Sequence, residues 1–239
     1  MSLRPFLTYA EDDPAAGALA RDGGAAYVSP SLRAYLVAAM VDSEPNAARP
    51  ALVVAGDDRA ARDLAADLAA WLAPRPVRFY PSRGVSYESH LAPPAHLVGL
   101  RVAALDALVG ERSAEASPPV VVASAVALAE KVPDTALRPQ GLTLRVGELV
   151  DLDELAADLV AAGYERVEQV EDRGQFAVRG GLMDVYPATE ERAVRLDLFG
   201  DEIESLRWFS TFTQRSLGEA EAVEVAPAAE LAAEHRELA

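Results

Sequence analysis

The stretch from Tyr164 to Phe209 leaves the chain little choice of fold. Phe176, Val178, Leu182 and Val185 are β-formers placed around the Gly180-Gly181 pair, and Pro187, which cannot donate to a ladder, ends the run. Val194, Leu196 and Leu198 then alternate with Arg195, Asp197 and Phe199, the period-two pattern of a strand with one buried face. Gly200-Asp201 is a two-residue turn of the Gly-X kind, which suits a tight hairpin into Ile203, Ser205, Leu206 and Trp208. The stretch predicts a small antiparallel meander.

The chain ahead of it predicts a different architecture. Ala51 to Ala55 is a β-branched run, apolar on both faces and ended by Gly56, and Val120 to Ala123 is a second. Val77 to Tyr80 is a shorter strand. Helices are expected before and between them: Pro14 to Arg21, Leu32 to Val41 behind a Ser29-Pro30-Ser31 cap, and Ala95 to Val109. Another follows Asp57 or Asp58 and carries Leu64, Leu68, Trp71 and Leu72 at helical spacing. Ser124 caps a short helix through Leu128, and Asp151 caps one from Leu152 to Ala162, after an alternating Leu142 to Val146. Doubly apolar strands separated by helices predict a parallel α/β sheet.

The expected fold class is therefore α/β: a parallel α/β domain over residues 1–139, then a mainly antiparallel β domain over 140–227. The boundary is placed near Pro139-Gln140-Gly141. Residues 228–239 form a charged, helix-forming tail with no visible partner, whose abrupt stop is expected to be the truncated start of a longer segment.

Composition excludes several chemistries. With no cysteine there is no disulfide, zinc-thiolate site or thiol nucleophile. No run approaches the ~20 apolar residues that span a bilayer, and Met1 to Asp13 lacks the basic start and apolar core of a signal peptide. A cytoplasmic protein without a membrane partner is expected. A net charge of −16 opposes unaided binding of a phosphate backbone. Lys131 is the only lysine and stands in Ala-Glu-Lys-Val, so no Gly-Lys-Ser/Thr phosphate loop exists. No cofactor, metal or catalytic residue is expected in this segment.

Individual motifs add little to that. Asp151-Leu152-Asp153-Glu154 has the first-turn acids of an ordinary capped helix. His90 and His96 are six apart, with a proline pair between them, whereas ligands on one helix face are three or four apart. No Gly-x-Ser-x-Gly elbow accompanies the serines, and the Tyr87-His90 loop has no assignable role. Arg166, Arg173 and Arg179 are more informative, because they fall on or beside strands that carry Tyr164 and Phe176. Arginines beside aromatics make interface hot spots, and they equally make a solvated strand face whose stems cover apolar surface. Both readings stay open on the residues alone.

The string from Phe176 to Pro187, with Arg195-Leu-Asp-Leu-Phe-Gly-Asp-Glu-Ile-Glu-Ser-Leu206, resembles the second domain of the bacterial transcription-repair coupling factor family (Mfd), itself similar to a domain of the excision-repair helicase UvrB. Trp208-Phe209-Ser210, Gln214-Arg215-Ser216-Leu217 and Gly163 to Val170 resemble the coupling factor rather than UvrB. Ala51 to Leu72, Phe79 to Tyr87 and Leu97 to Leu108 are similar to its first domain, a degenerate helicase-type (P-loop-like) domain.

The resemblance implies the N-terminal part of an ATP-driven DNA translocase that displaces stalled RNA polymerase and recruits the excision-repair protein UvrA. ATP and magnesium would belong to motor domains beyond this segment, as would contacts with RNA polymerase and double-stranded DNA. The segment itself would be a non-catalytic UvrA-docking module, masked in the resting parent by the C-terminal domain. By position, Arg166 and Arg179 match arginines of the UvrB surface that meets UvrA, while a third such arginine falls at Ala177. Phe176 is the expected apolar anchor and Arg173 a rim contact. The alternatives are a stand-alone α/β regulatory or interaction protein, or a DNA-binding module.

Overall fold

A computed structural model describes residues 3–44, 46–85, 92–109 and 117–232. The helices are α1 (Thr8–Glu11), α2 (Pro14–Asp22), α3 (Pro30–Asp42), α4 (Asp58–Leu72), α5 (Ala95–Val109), α6 (Ala125–Ala129) and α7 (Leu152–Ala161). The first four strands are β1 (Ala51–Ala55), β2 (Val77–Tyr80), β3 (Val120–Ser124) and β4 (Leu142–Arg145). After them come β5 (Glu165–Arg166), β6 (Gln175–Arg179), β7 (Leu182–Val185), β8 (Ala193–Phe199), β9 (Glu202–Phe209), β10 (Ser216–Ala220) and β11 (Ala222–Val225). The chain divides into two compact units, Met1–Ser82 with Ala104–Glu130 and Arg83–Ala103 with Lys131–Ala239, so the division runs through α5.

The first unit holds a parallel three-stranded sheet in the order β1-β3-β2. Asp57 caps α4 by accepting from the Ala60 N–H at 2.8 Å, and Ser124 caps α6 by accepting from Ala127 at 3.0 Å. At α3 the expected Ser29 cap takes another form. Pro30 opens the helix, and the Ser29 hydroxyl meets that of Ser31 instead of a backbone N–H. One sheet face packs against α3 and α4 through Ala38, Leu68, Leu72, Val120 and Val122.

The expectation that β1 is buried on both faces is corrected. Leu52 and Val54 are 56% and 52% exposed, while Ala51, Val53 and Ala55 are partly covered. β1 is an edge strand, and the second apolar cluster of this unit gathers over Tyr80, Val121 and Ala123, beside β1 and not on it.

The second unit is built around the predicted meander, a six-stranded sheet in the order β10-β9-β8-β7-β6-β5. Neighbouring strands are antiparallel except β5, which runs parallel to β6. Gly180 (φ 60°) and Gly200 (φ 65°) take the first position of two-residue turns, where a side chain would be strained. Ile203 and Leu206 are three apart yet both fully buried, which a plain strand cannot achieve. A bulge between Asp197 and Leu198 of β8 and their β9 partners inserts Glu204 and resets the alternation.

One side of this sheet forms the main core, with Phe176, Met183, Val185, Val194, Leu196, Ile203 and Leu206 against Leu155 and Leu159 of α7. β4 pairs with β11 in a separate two-stranded ribbon that joins the same core through Leu144, Val223 and Val225. Tyr164 crosses it. Its hydroxyl donates to the Ala226 carbonyl at 2.7 Å and accepts from the Ala188 N–H at 3.0 Å, while burial pushes that hydroxyl well above the usual tyrosine range.

The expected unpartnered helix at the tail is also corrected. Residues 228–232 are not helical, and the Glu230 carboxylate pairs with both Arg83 and Arg101. Residues 233–239 lie outside the described residues, as does the Tyr87-His90 stretch.

Candidate functional site

The side of the meander facing away from the main core carries paired charges. Register places Ala177, Asp184, Arg195 and Arg207 in one row across β6 to β9, and Arg179, Leu182, Asp197 and Ser205 in the next. The Asp184 side chain is only 3% exposed. It accepts from Arg179 Nη2 at 2.6 Å and, through both oxygens, from Arg195 Nε at 2.6 Å and Nη2 at 2.8 Å. The second of these is the two-pronged arginine–carboxylate pairing, the strongest geometry such a pair has.

Arg195 is braced further. Its Nη2 donates to Gln214 Oε1 at 3.0 Å, and its guanidinium lies 4.5 Å from the centroid of the Phe209 ring. The hydrogen bond to Asp184 raises the affinity of Arg195 for its proton beyond the ordinary arginine value, against the opposing effect of burial. In the neighbouring row Asp197 accepts from Arg207 and, at 2.7 Å, from the Ser205 hydroxyl. An open depression of about 760 Å³ runs over this face, bordered by Arg179, Leu182, Asp197, Ser205, Arg207 and Glu219.

The sequence carrying this geometry has known relatives. Residues 142–231 match the UvrB interaction domain.

That domain therefore contains the whole charged face. The chain is also similar to proteins named transcription-repair-coupling factor. It is 39% identical to that of Mycobacterium tuberculosis over 172 residues, covering 71% of this chain and 14% of the relative. It is 32% identical to that of Bacillus subtilis over 206 residues, 85% of this chain and 17% of the relative. The Escherichia coli protein is 42% identical over 98 residues, 41% of this chain and 8% of the relative. The chain thus spans about a seventh and about a sixth of the length of the first two.

The residues singled out in the sequence have separate fates within the interaction domain. Arg179 stands on the charged face with its side chain half exposed. Arg166 is exposed on β5, where its register partner is Phe176, so its row belongs to the opposite side of the sheet from Arg179. Arg173 is half buried. Its Nε donates to the Glu190 carbonyl and its guanidinium lies 5.9 Å from the Tyr186 ring, so it braces its own domain.

Phe176 is a correction. It is fully buried in the main core and cannot anchor a partner, because the strand alternation that exposes Arg179 turns Phe176 inward. Ala177, where the resemblance lacks an arginine, is 1% exposed and packs with Val170, Ala193 and Phe209.

Asp184, Arg195 and Gln214 went unnoticed in the sequence. Alternation does put Arg195 on the non-core face, but nothing local says that Asp184, eleven residues earlier, lies opposite it. The pairing comes from the register of two strands.

Proposed function

We propose that the UvrB interaction domain of this chain is a non-catalytic docking platform for UvrA, with Arg179 at its centre and Arg166 contributing from the β5 edge. The observation that carries this reading is the state of Arg179: a half-exposed guanidinium held by a carboxylate that is almost wholly buried. A side chain already fixed loses little freedom on binding. Its fork suits a carboxylate on the partner. A protein that takes both Arg166 and Arg179 lies across the β5–β6 edge, since the two arginines belong to opposite sides of the sheet. Arg173 serves at most as a rim contact, and Phe176 supports the fold.

The wider role follows the relatives. The chain is the N-terminal segment of a coupling factor, and ATP, RNA polymerase and duplex DNA are bound elsewhere in that longer protein. The first unit is a helicase-type domain without a nucleotide site. Supporting this, Asp58 stands beside the carboxyl ends of the parallel strands, where open α/β sheets receive their ligands. Its carboxylate accepts from the Ser82 N–H at 2.9 Å and from the Ser82 hydroxyl. An anionic side chain there repels a phosphate.

The test is calorimetric titration of the chain with UvrA, with Arg179→Ala and Arg166→Ala in parallel. Micromolar or tighter binding, weakened at least tenfold (~1.4 kcal/mol) by Arg179→Ala, is expected. Binding indifferent to Arg179 places the interface elsewhere, and absence of binding refutes the docking role.

A further inference from the structure

With Phe176 buried, the docking face lacks the apolar anchor expected of it, and the loop between β9 and β10 offers one. This loop, Ser210 to Arg215, presents Phe212 with 96% of its surface exposed. A single exposed apolar residue needs no explanation by itself. The construction beneath this one does.

The loop is closed at its base by the Ser210 N–H donating to the Arg215 carbonyl at 3.0 Å and the Gln214 N–H donating to the Ser210 carbonyl at 2.7 Å. The Thr213 N–H adds a bond to the Ser210 hydroxyl at 3.2 Å. Gln214 has φ 58°, the one positive φ outside glycine among the described residues. Such backbone strain persists only where the surroundings impose it, and it gathers at functional sites.

Here the surroundings are the charged face. The Gln214 amide donates through Nε2 to the Thr211 carbonyl at 2.8 Å and accepts at Oε1 from Arg195. Arg195 is in turn fixed by the buried Asp184, which also holds Arg179. The loop two residues past Phe212 is thereby locked to the carboxylate that positions the central docking arginine.

We infer that Phe212 is the apolar anchor of the docking face, presented by the Gln214–Arg195–Asp184 brace, and that it inserts into an apolar pocket of the partner rimmed by carboxylates. Charge complementarity gives that chemistry: the exposed Arg215, three residues past the anchor, and Arg195, hydrogen-bonded to Gln214, put arginines at the base of the loop on an otherwise acidic chain. A preorganised aromatic flanked by arginine is the usual make-up of an energetic hot spot. The inference rests on the UvrA-docking reading and adds to it where the apolar contact lies.

The experiment is titration of the full chain and its Phe212→Ala, Phe212→Leu, Gln214→Gly and Arg179→Ala variants with UvrA, with thermal unfolding of each. Phe212→Ala is expected to weaken binding at least tenfold without moving the unfolding midpoint, since the side chain touches almost nothing in the free protein. Phe212→Leu, which keeps apolar bulk, is expected to recover most of that loss. Gln214→Gly keeps the positive φ accessible but deletes the contact with Arg195, and a severalfold loss is expected. If Arg179→Ala weakens binding while Phe212→Ala stays within twofold, the anchor is refuted and the docking reading stands. If the unaltered chain does not bind, both fall. If Gln214→Gly binds as the parent chain does, the brace has no part in presenting the anchor.

Discussion

Replacing Asp184 by alanine should destabilise the second unit far more than replacing its partner Arg179. The carboxylate is 3% exposed and receives three N–H groups, two from Arg195 and one from Arg179. Removing one member of a buried ion pair costs ~3–5 kcal/mol, because the remaining charge loses its partner without regaining water. Arg195 is 21% exposed and keeps its contacts with Gln214 and the Phe209 ring, which lowers the figure to about 2–4 kcal/mol. Arg179, at 49% exposure, turns outward to solvent and adds little, so Arg179→Ala itself should cost less than ~1 kcal/mol.

Urea unfolding followed by Trp208, which packs against the main core, isolates this unit in a Trp71→Phe background. At an m-value of about 2 kcal/mol/M, Asp184→Ala should lower the midpoint by roughly 1–2 M. An Asp184→Leu, Arg195→Met double variant should recover most of the loss, since two apolar side chains leave no buried charge behind. A loss below ~1 kcal/mol for Asp184→Ala, or one equal to that of Arg179→Ala, would sink the argument that this carboxylate is the keystone of the charged face.

Two further outcomes are expected away from that face. Glu230→Ala should cost ~3–5 kcal/mol, because it removes a carboxylate paired with Arg101, whose side chain is wholly buried; Trp208-detected urea unfolding measures it, and a change under ~1 kcal/mol would show the pair to be solvated. In the first unit Asp58 binds its proton more weakly than an ordinary aspartate: partial burial pushes the pKa up, but hydrogen bonds from Ser124 and Ser82 bring it down further. The folded value therefore lies below the unfolded one, so the stabilisation is complete above about pH 4 and disappears as pH falls through the folded value. Trp71-detected unfolding of a Trp208→Phe protein should steepen in its acid dependence between about pH 5 and 3 relative to the same protein carrying Asp58→Asn. Equal slopes would show that Asp58 does not contribute.

The contrast between these residues shows how much of the fold is legible in the sequence. The meander, its two glycine turns, the parallel arrangement of β1 to β3 and the caps at Asp57, Ser124 and Asp151 were all legible. Each depends on residues within a few positions of one another: alternation, a turn pair, a polar side chain before an apolar periodic run. The place of Arg179 at a strand end was legible too, since it is a local property.

What tertiary structure alone decided was partnership. Phe176 and Arg179 are three residues apart on one strand, and only the side on which the core gathers makes one a core residue and the other a surface group. Leu52 and Val54 look as buried in the sequence as Val121 and Ala123, but β1 took the edge of its sheet and β3 the centre. Glu230 looked like part of a free tail until Arg83 and Arg101, more than a hundred residues earlier, came to meet it. Local composition sets which element forms, through steric and hydrogen-bonding preferences of neighbouring residues. Register, edge position and charge pairing are settled by long-range burial, which no window of the sequence contains.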